Sequence, residues 1–166
     1  ATTHVQILLD AAKVGARTKV IAGISIFEYA AFTGLERYKF GKTTSIVFHE
    51  EEYAPESFYD TILLNKKVGL HTLCLLDIKS EQNRMMDIGH AISILERIEE
   101  KREESSLSES IMVGIAAAGS IGEQIKAGNA EQLKNYGFSA YPQSLIICGK
   151  LNEKEIEALK IIGALE

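Results

Sequence analysis

Gly69-Leu70-His71-Thr72-Leu73-Cys74-Leu75-Leu76-Asp77-Ile78-Lys79 opens on a helix-stopping glycine, runs apolar for the length of one strand and then turns polar. It predicts a β-strand over Thr72–Asp77. Upstream, residues Glu56 to Val68 follow Pro55, which a first helical turn tolerates, and predict a helix ending at Gly69. Downstream, Ile88, Ala91, Ile92, Leu95 and Ile98 form one stripe of a helix over Met86–Ile98. Its continuation, Glu99-Glu100-Lys101-Arg102-Glu103-Glu104, reads as a solvated helix end. Further strands are predicted at Thr44–His49, Ser110–Ala117 and Ser144–Gly149. Asn129 with Gln132 and Asn152 with Glu155 have the spacing of capping boxes.

The opening third follows the same grammar. Val5, Leu8, Leu9 and Ala12 lie at helical spacing before Gly15, Thr18–Ala22 reads as a short strand, and Gly23–Gly34 carries Ile26, Tyr29, Ala30 and Thr33 at helical intervals. Strands separated by helices predict an α/β protein, a mixed sheet flanked by helices, with parallel pairs where crossovers are long enough. Glu36–Lys42 breaks the apolar periodicity between two glycines and reads as a linker. Two domains are therefore expected, residues 1–34 as the end of an N-terminal domain and 35–166 as a C-terminal α/β domain. Ala1-Thr2-Thr3-His4 leads straight into a helical pattern with no first strand, from which a truncated chain is expected.

Composition narrows the function. At 166 residues, 46% hydrophobic and 25% charged, the chain can bury a substantial core. A net charge of -5 argues against nucleic-acid binding, which rests on neutralising phosphates with Lys and Arg. Cys74 and Cys148 sit in apolar runs and read as reduced core thiols. No apolar run has the length of a membrane span and no leader is visible, so a cytoplasmic protein is expected.

His4, His49, His71 and His90 are scattered and fit no metal or triad spacing. His49-Glu50-Glu51-Glu52 reads as a solvated acidic loop rather than a metal site, because successive side chains on an extended segment point to opposite faces. His71 and Asp77 read as hydrogen-bonded structural residues before they read as catalytic ones. More telling are small residues just past strand ends: Gly23 and Ser25 after one strand, and Ala116-Ala117-Ala118-Gly119-Ser120 after another. Such bends let a flat ligand approach the backbone where α/β sheets usually bind ligands, although most glycines after strands are plain turns.

Leu35-Glu36-Arg37-Tyr38-Lys39-Phe40-Gly41-Lys42-Thr43, Pro55-Glu56-Ser57-Phe58-Tyr59-Asp60, Leu70-His71-Thr72-Leu73 and Leu76-Asp77-Ile78-Lys79 together resemble the diphthine synthase family. The resemblance implies a tetrapyrrole-methylase-like architecture and an S-adenosylmethionine-dependent methyltransferase acting on the modified histidine of elongation factor 2 in diphthamide biosynthesis. It also implies a homodimer with S-adenosylhomocysteine as cofactor product. Position by position it implies a cofactor site that includes Ser25 and Ile26 of a Ser-Ile loop, Leu76 before Asp-Ile-Lys, Ala118 before Gly-Ser, and Gln143, where the family typically has histidine. No catalytic residue and no metal ligand are nominated. The alternatives are a related methylase of corrin-type small molecules, or a folded dimerisation module without turnover. By itself a truncated chain is expected to be inactive.

Overall fold

The structure, a computed structural model, describes residues 2–165. In chain order it contains α1 (Thr2–Lys13), α2 (Ile26–Tyr29) continued by a 3-10 turn at Ala30–Thr33, β1 (Thr44–Ile46), α3 (Ser57–Lys67), β2 (Thr72–Leu76) and a hairpin of β3 (Ile78–Lys79) and β4 (Arg84–Met85). There follow α4 (Ile88–Arg102), β5 (Met112–Ala116), β6 (Gln124–Gly128), α5 (Ala130–Asn135), β7 (Gln143–Ile147) and α6 (Glu153–Ile162). Five strands form one mixed sheet in the order β1-β2-β7-β5-β6. β1 and β2 are parallel, joined through α3, while every other pair is antiparallel.

The central strands are buried on both faces, and the two-residue period of a strand divides their side chains between two cores. Cys74, Met112, Leu145 and Ile147 pack with Ile62 of α3 and Ile88, Ile92 and Leu95 of α4. Their neighbours Leu73, Val113, Ile115 and Ile146 pack on the other face with Leu159 of α6, Ala30 and Leu35. Both expected capping boxes form: Asn129 and Asn152 accept from the backbone of Gln132 and Glu155, whose side chains accept in return. Cys74 and Cys148 are free and buried.

Four local expectations change. Residues 16–25 form no strand: Val20 and Ile21 are 73% and 83% exposed, and a strand needs a neighbouring ladder that this segment does not meet. Pro55 stands outside its helix, which Glu56 caps. Glu36–Lys42 is no free linker, because Phe40 bridges His71, Gly41 N–H donates to the His71 carbonyl at 2.9 Å, and Lys39 reaches the carbonyl of Lys150. The charged run after Ile98 is only partly solvated. Glu99 is buried, accepting from Leu107 N–H at 2.7 Å and Tyr59 Oη at 3.1 Å, while Arg102 grips Glu56 and Asp60. The hairpin β3–β4 and strand β6 carry too little apolar periodicity to be read from sequence.

Gly149 closes the end of β7 against the turn before β2. Its N–H donates to His71 Nδ1 at 2.9 Å, and a Cβ would drive into the backbone of Gly69 and Leu70. Gly149→Ala should therefore cost about 2 kcal/mol and lower Tm by about 6 °C in a thermal melt. An unchanged Tm would show that this turn yields freely.

Candidate functional site

Antiparallel insertion of β7 brings its N-terminal residues to the same sheet edge as the C-terminal ends of β2 and β5. One row of paired residues crosses the sheet there: Ser45 on β1, Leu75 on β2, Ser144 on β7 and Ile115 on β5. Partners in register share a face, so these four side chains form a floor with two hydroxyls among aliphatic groups. The floor belongs to an open cleft of about 610 Å³. Ile26 of α2 stands on one side, Asp77 and Ile78 follow β2, and Ala117, Ala118 and Ser120 follow β5. Tyr141 and Pro142 complete the rim. Asp77 is the one charged side chain among these lining residues.

The bend after β5 keeps bulk out of this cleft. Ala117 and Gly119 adopt left-handed φ values of 48° and 73°, a conformation that disfavours large side chains. Ala117 N–H donates to the Pro142 carbonyl at 2.9 Å, and Gly119 N–H donates to the Glu123 carboxylate at 2.6 Å. The same carboxylate accepts from the Tyr29 hydroxyl, so the bend is tied to α2. Between them lies a smaller hollow of about 280 Å³ that includes Ser25, Tyr29 and Gly119, and Ile26 and Ala118 border both spaces.

No family model matches the chain. It is 46% identical over 163 residues to a diphthine synthase of Methanococcus maripaludis, covering 98% of this chain and 64% of that protein. With a diphthine synthase of Methanocaldococcus jannaschii the identity is 42% over 165 residues, with the same coverages. Among solved structures, that of a diphthine synthase superposes with a TM-score of 0.85 at 31% identity, covering 100% of this chain and 62% of that one. Over nearly its whole length the chain is similar in sequence and in fold to diphthine synthases. A provisionally named diphthine synthase from Entamoeba histolytica agrees more closely in shape, with a TM-score of 0.90 at 32% identity over 97% of this chain and 66% of its own. The chain spans about 64% of the length of the curated diphthine synthases it matches.

Of the five residues nominated from the family resemblance, Ile26, Leu76, Ala118 and Gln143 line the larger cleft, and Ser25 lines the adjoining hollow. Their contributions differ. Leu76 packs into the core against α3 and α4, so it meets the cleft at the strand end rather than on the floor. The Gln143 side chain is committed elsewhere: Oε1 accepts from Ile88 N–H at 2.9 Å, and Nε2 donates to the Ala140 carbonyl at 3.0 Å. Ser25 directs its hydroxyl to Glu28. The floor residues Ser45, Leu75, Ile115 and Ser144 escaped the sequence reading. Strand alternation puts each on one face of its own strand, but only the register aligns them.

His71 and Asp77 are both hydrogen-bonded. His71 is fully buried and bonds Glu155 Oε1 through Nε2 at 2.9 Å, while Asp77 Oδ2 accepts from Phe48 N–H at 3.2 Å. Asp77 alone of the two faces the cleft. His49 Nε2 bonds the Pro55 carbonyl at 3.1 Å and Glu50 pairs with Lys79, which accounts for two members of the acidic loop.

Proposed function

We propose that the cleft over Ser45, Leu75, Ser144 and Ile115 holds S-adenosylmethionine, and that the chain carries this part of a diphthine synthase acting on the modified histidine of elongation factor 2. The observation that carries the reading is the convergence of four nominated residues on one cleft whose floor is flat, small and partly hydroxylic. Its volume of about 610 Å³ suits a nucleoside-sized ligand. Asp77, the single charge there, suits a sulfonium cation rather than an anion.

The sulfonium supplies an already activated methyl group, so the chain's residues need bind, orient and exclude water rather than supply an acid and a base. Alignment of bound reactants recovers about 7–11 kcal/mol of a barrier. Apolar Ile26, Leu75 and Ile115 exclude water, the two serine hydroxyls offer hydrogen bonds, and the Ala117–Gly119 bend lets a ligand approach the backbone. In this reading Ser25 and Ala118 border the ligand where the two hollows meet, and Leu76 and Gln143 contribute as strand ends.

The same reading makes residues 1–34 the end of a separate domain, the assembly a homodimer and the setting the cytoplasm. In its support, Val5, Ile7, Leu9, Val20 and Ile21 are all more than half exposed and offer apolar surface for further protein to cover. No helix among the described residues is long and apolar enough to cross a membrane.

The test is calorimetric titration of S-adenosylhomocysteine into this chain and into the longer M. maripaludis relative. Binding is expected in both, tighter in the longer protein. Ser144→Phe, which fills the floor, should weaken binding at least about tenfold in a chain that still folds, at a cost of about 1–3 kcal/mol in stability. Undiminished affinity in a folded Ser144→Phe chain, or no heat from either wild-type protein, would remove the ligand from this cleft.

A further inference from the structure

Beyond the β3–β4 hairpin lies a second hollow of about 500 Å³, walled by Phe48, Arg84, Met85, Asp87, His90 and Tyr141. Two features join it to the first cleft. Tyr141 lines both, and the hairpin pair Ile78 and Met85 contributes one residue to each, Ile78 to the first and Met85 to the second. Adjoining clefts with one shared aromatic wall suit group transfer, because donor and acceptor must be held within reacting distance of each other.

The chemistry of the two spaces differs. The first presents one carboxylate, whereas the second presents a guanidinium and an imidazole arranged on one ring. The Arg84 guanidinium carbon lies 4.2 Å from the Phe48 centroid, and the His90 ring meets Phe48 edge-on at 5.3 Å between centroids. Arg84 remains available. Nη1 donates to the exposed Gln82 Oε1 at 3.2 Å, its carboxylate contact is a long 3.7 Å to Glu50, which is already paired with Lys79, and its side chain is 47% exposed, so the other guanidinium N–H groups are left unpaired among the described residues. The one carboxylate in the wall, Asp87, is engaged as the cap of α4, accepting from His90 N–H at 2.7 Å. A guanidinium stacked on an aromatic ring offers a planar fork of N–H donors that matches a carboxylate.

We infer that this second hollow receives the acceptor side chain, and that Arg84, assisted by His90, selects it by holding a carboxylate that it carries. Phe48 positions both donors. Tyr141 then stands between the carboxylate subsite and the methyl donor. The inference rests on the methyl-transfer reading of the first cleft, and its test keeps the two apart.

Elongation factor 2 bearing the unmethylated histidine modification is titrated against this chain by fluorescence anisotropy, and S-adenosylhomocysteine is titrated separately by calorimetry. Arg84→Gln should weaken acceptor binding about tenfold or more, Arg84→Lys should recover part of that loss, and His90→Gln should cost less. Affinity for S-adenosylhomocysteine should stay within about twofold in every variant, since none of these residues lines the first cleft. No acceptor binding by the wild-type chain, or acceptor affinity unmoved by both Arg84→Gln and His90→Gln, overturns the inference. Parallel loss of both ligands in folded Arg84→Gln also overturns it, placing Arg84 at the donor. Absence of S-adenosylhomocysteine binding alone strikes only the reading of the first cleft, while an Arg84-dependent acceptor affinity in the same samples sustains the second.

Discussion

Glu155→Ala should lower the melting temperature by about 10 °C, the largest effect expected of any single polar residue in the fold. The carboxylate is fully buried at the start of α6, yet both its oxygens are satisfied. Oε1 accepts from Glu36 N–H at 3.0 Å and from His71 Nε2 at 2.9 Å, while Oε2 accepts from Asn152 N–H at 3.0 Å and from the Lys39 ammonium. One side chain thereby joins the 36–39 segment, the turn before β2 and the cap of α6. Alanine leaves two backbone N–H groups, an imidazole N–H and an ammonium without their acceptor, a loss of about 3–5 kcal/mol. Glu155→Gln, which keeps one acceptor oxygen, should cost about half as much. A loss below about 1 kcal/mol for Glu155→Ala would mean that water reaches these donors readily.

Acid should weaken the protein in two stages for the same reason. His71 Nδ1 accepts from Gly149 N–H, so its proton sits on Nε2 and points at Glu155. Burial holds the His71 pKa below its usual value, although Glu155 pulls it upward. For Glu155, burial alone would raise the pKa, but the Lys39 ammonium, the N–H groups of Glu36 and Asn152 and the His71 N–H outweigh it and bring it to about 2. Both folded-state values lie below the unfolded ones, so the unfolded chain takes up protons that the native chain resists. Stability is therefore full above pH about 6.5, declines first as unfolded His71 protonates, and declines further from pH about 4.5 toward 2 through Glu155. The Glu155 share amounts to about 3 kcal/mol. Urea unfolding between pH 7 and 3 should show a steeper loss in the wild type than in Glu155→Gln. Parallel curves would assign the acid sensitivity to other carboxylates.

Much of the fold could be read from residues that obey a single period. Ile88, Ala91, Ile92, Leu95 and Ile98 fall on the buried face of α4, and the spacing of Asn152 and Glu155 announced a capping box that forms. The same spacing could not announce that Glu155 also binds Lys39 and His71, because those contacts span more than 80 residues of chain. The exposed strand expected at Thr18–Ala22 failed for the complementary reason: β-propensity is local, whereas pairing requires a partner elsewhere. In the cleft, the bend at Ala117–Gly119 was visible as a run of small residues, while Ser45, Leu75, Ser144 and Ile115 become one surface only through a register that joins four strands. Gln143 shows the limit of position-by-position transfer. Its place in the family pattern puts it at the cleft, yet its amide serves the first residue of α4.

The reversed direction of β7 has a consequence for adaptation. Because its head, rather than its tail, reaches the cleft edge, the rims of both hollows are supplied by connecting segments at 77–87, 117–123 and 137–142, while the strands beneath are pinned by two separate cores. Selectivity and robustness are thus encoded in different stretches of the chain. Grafting new sequences onto those three connections would reshape both hollows without disturbing the scaffold that carries them.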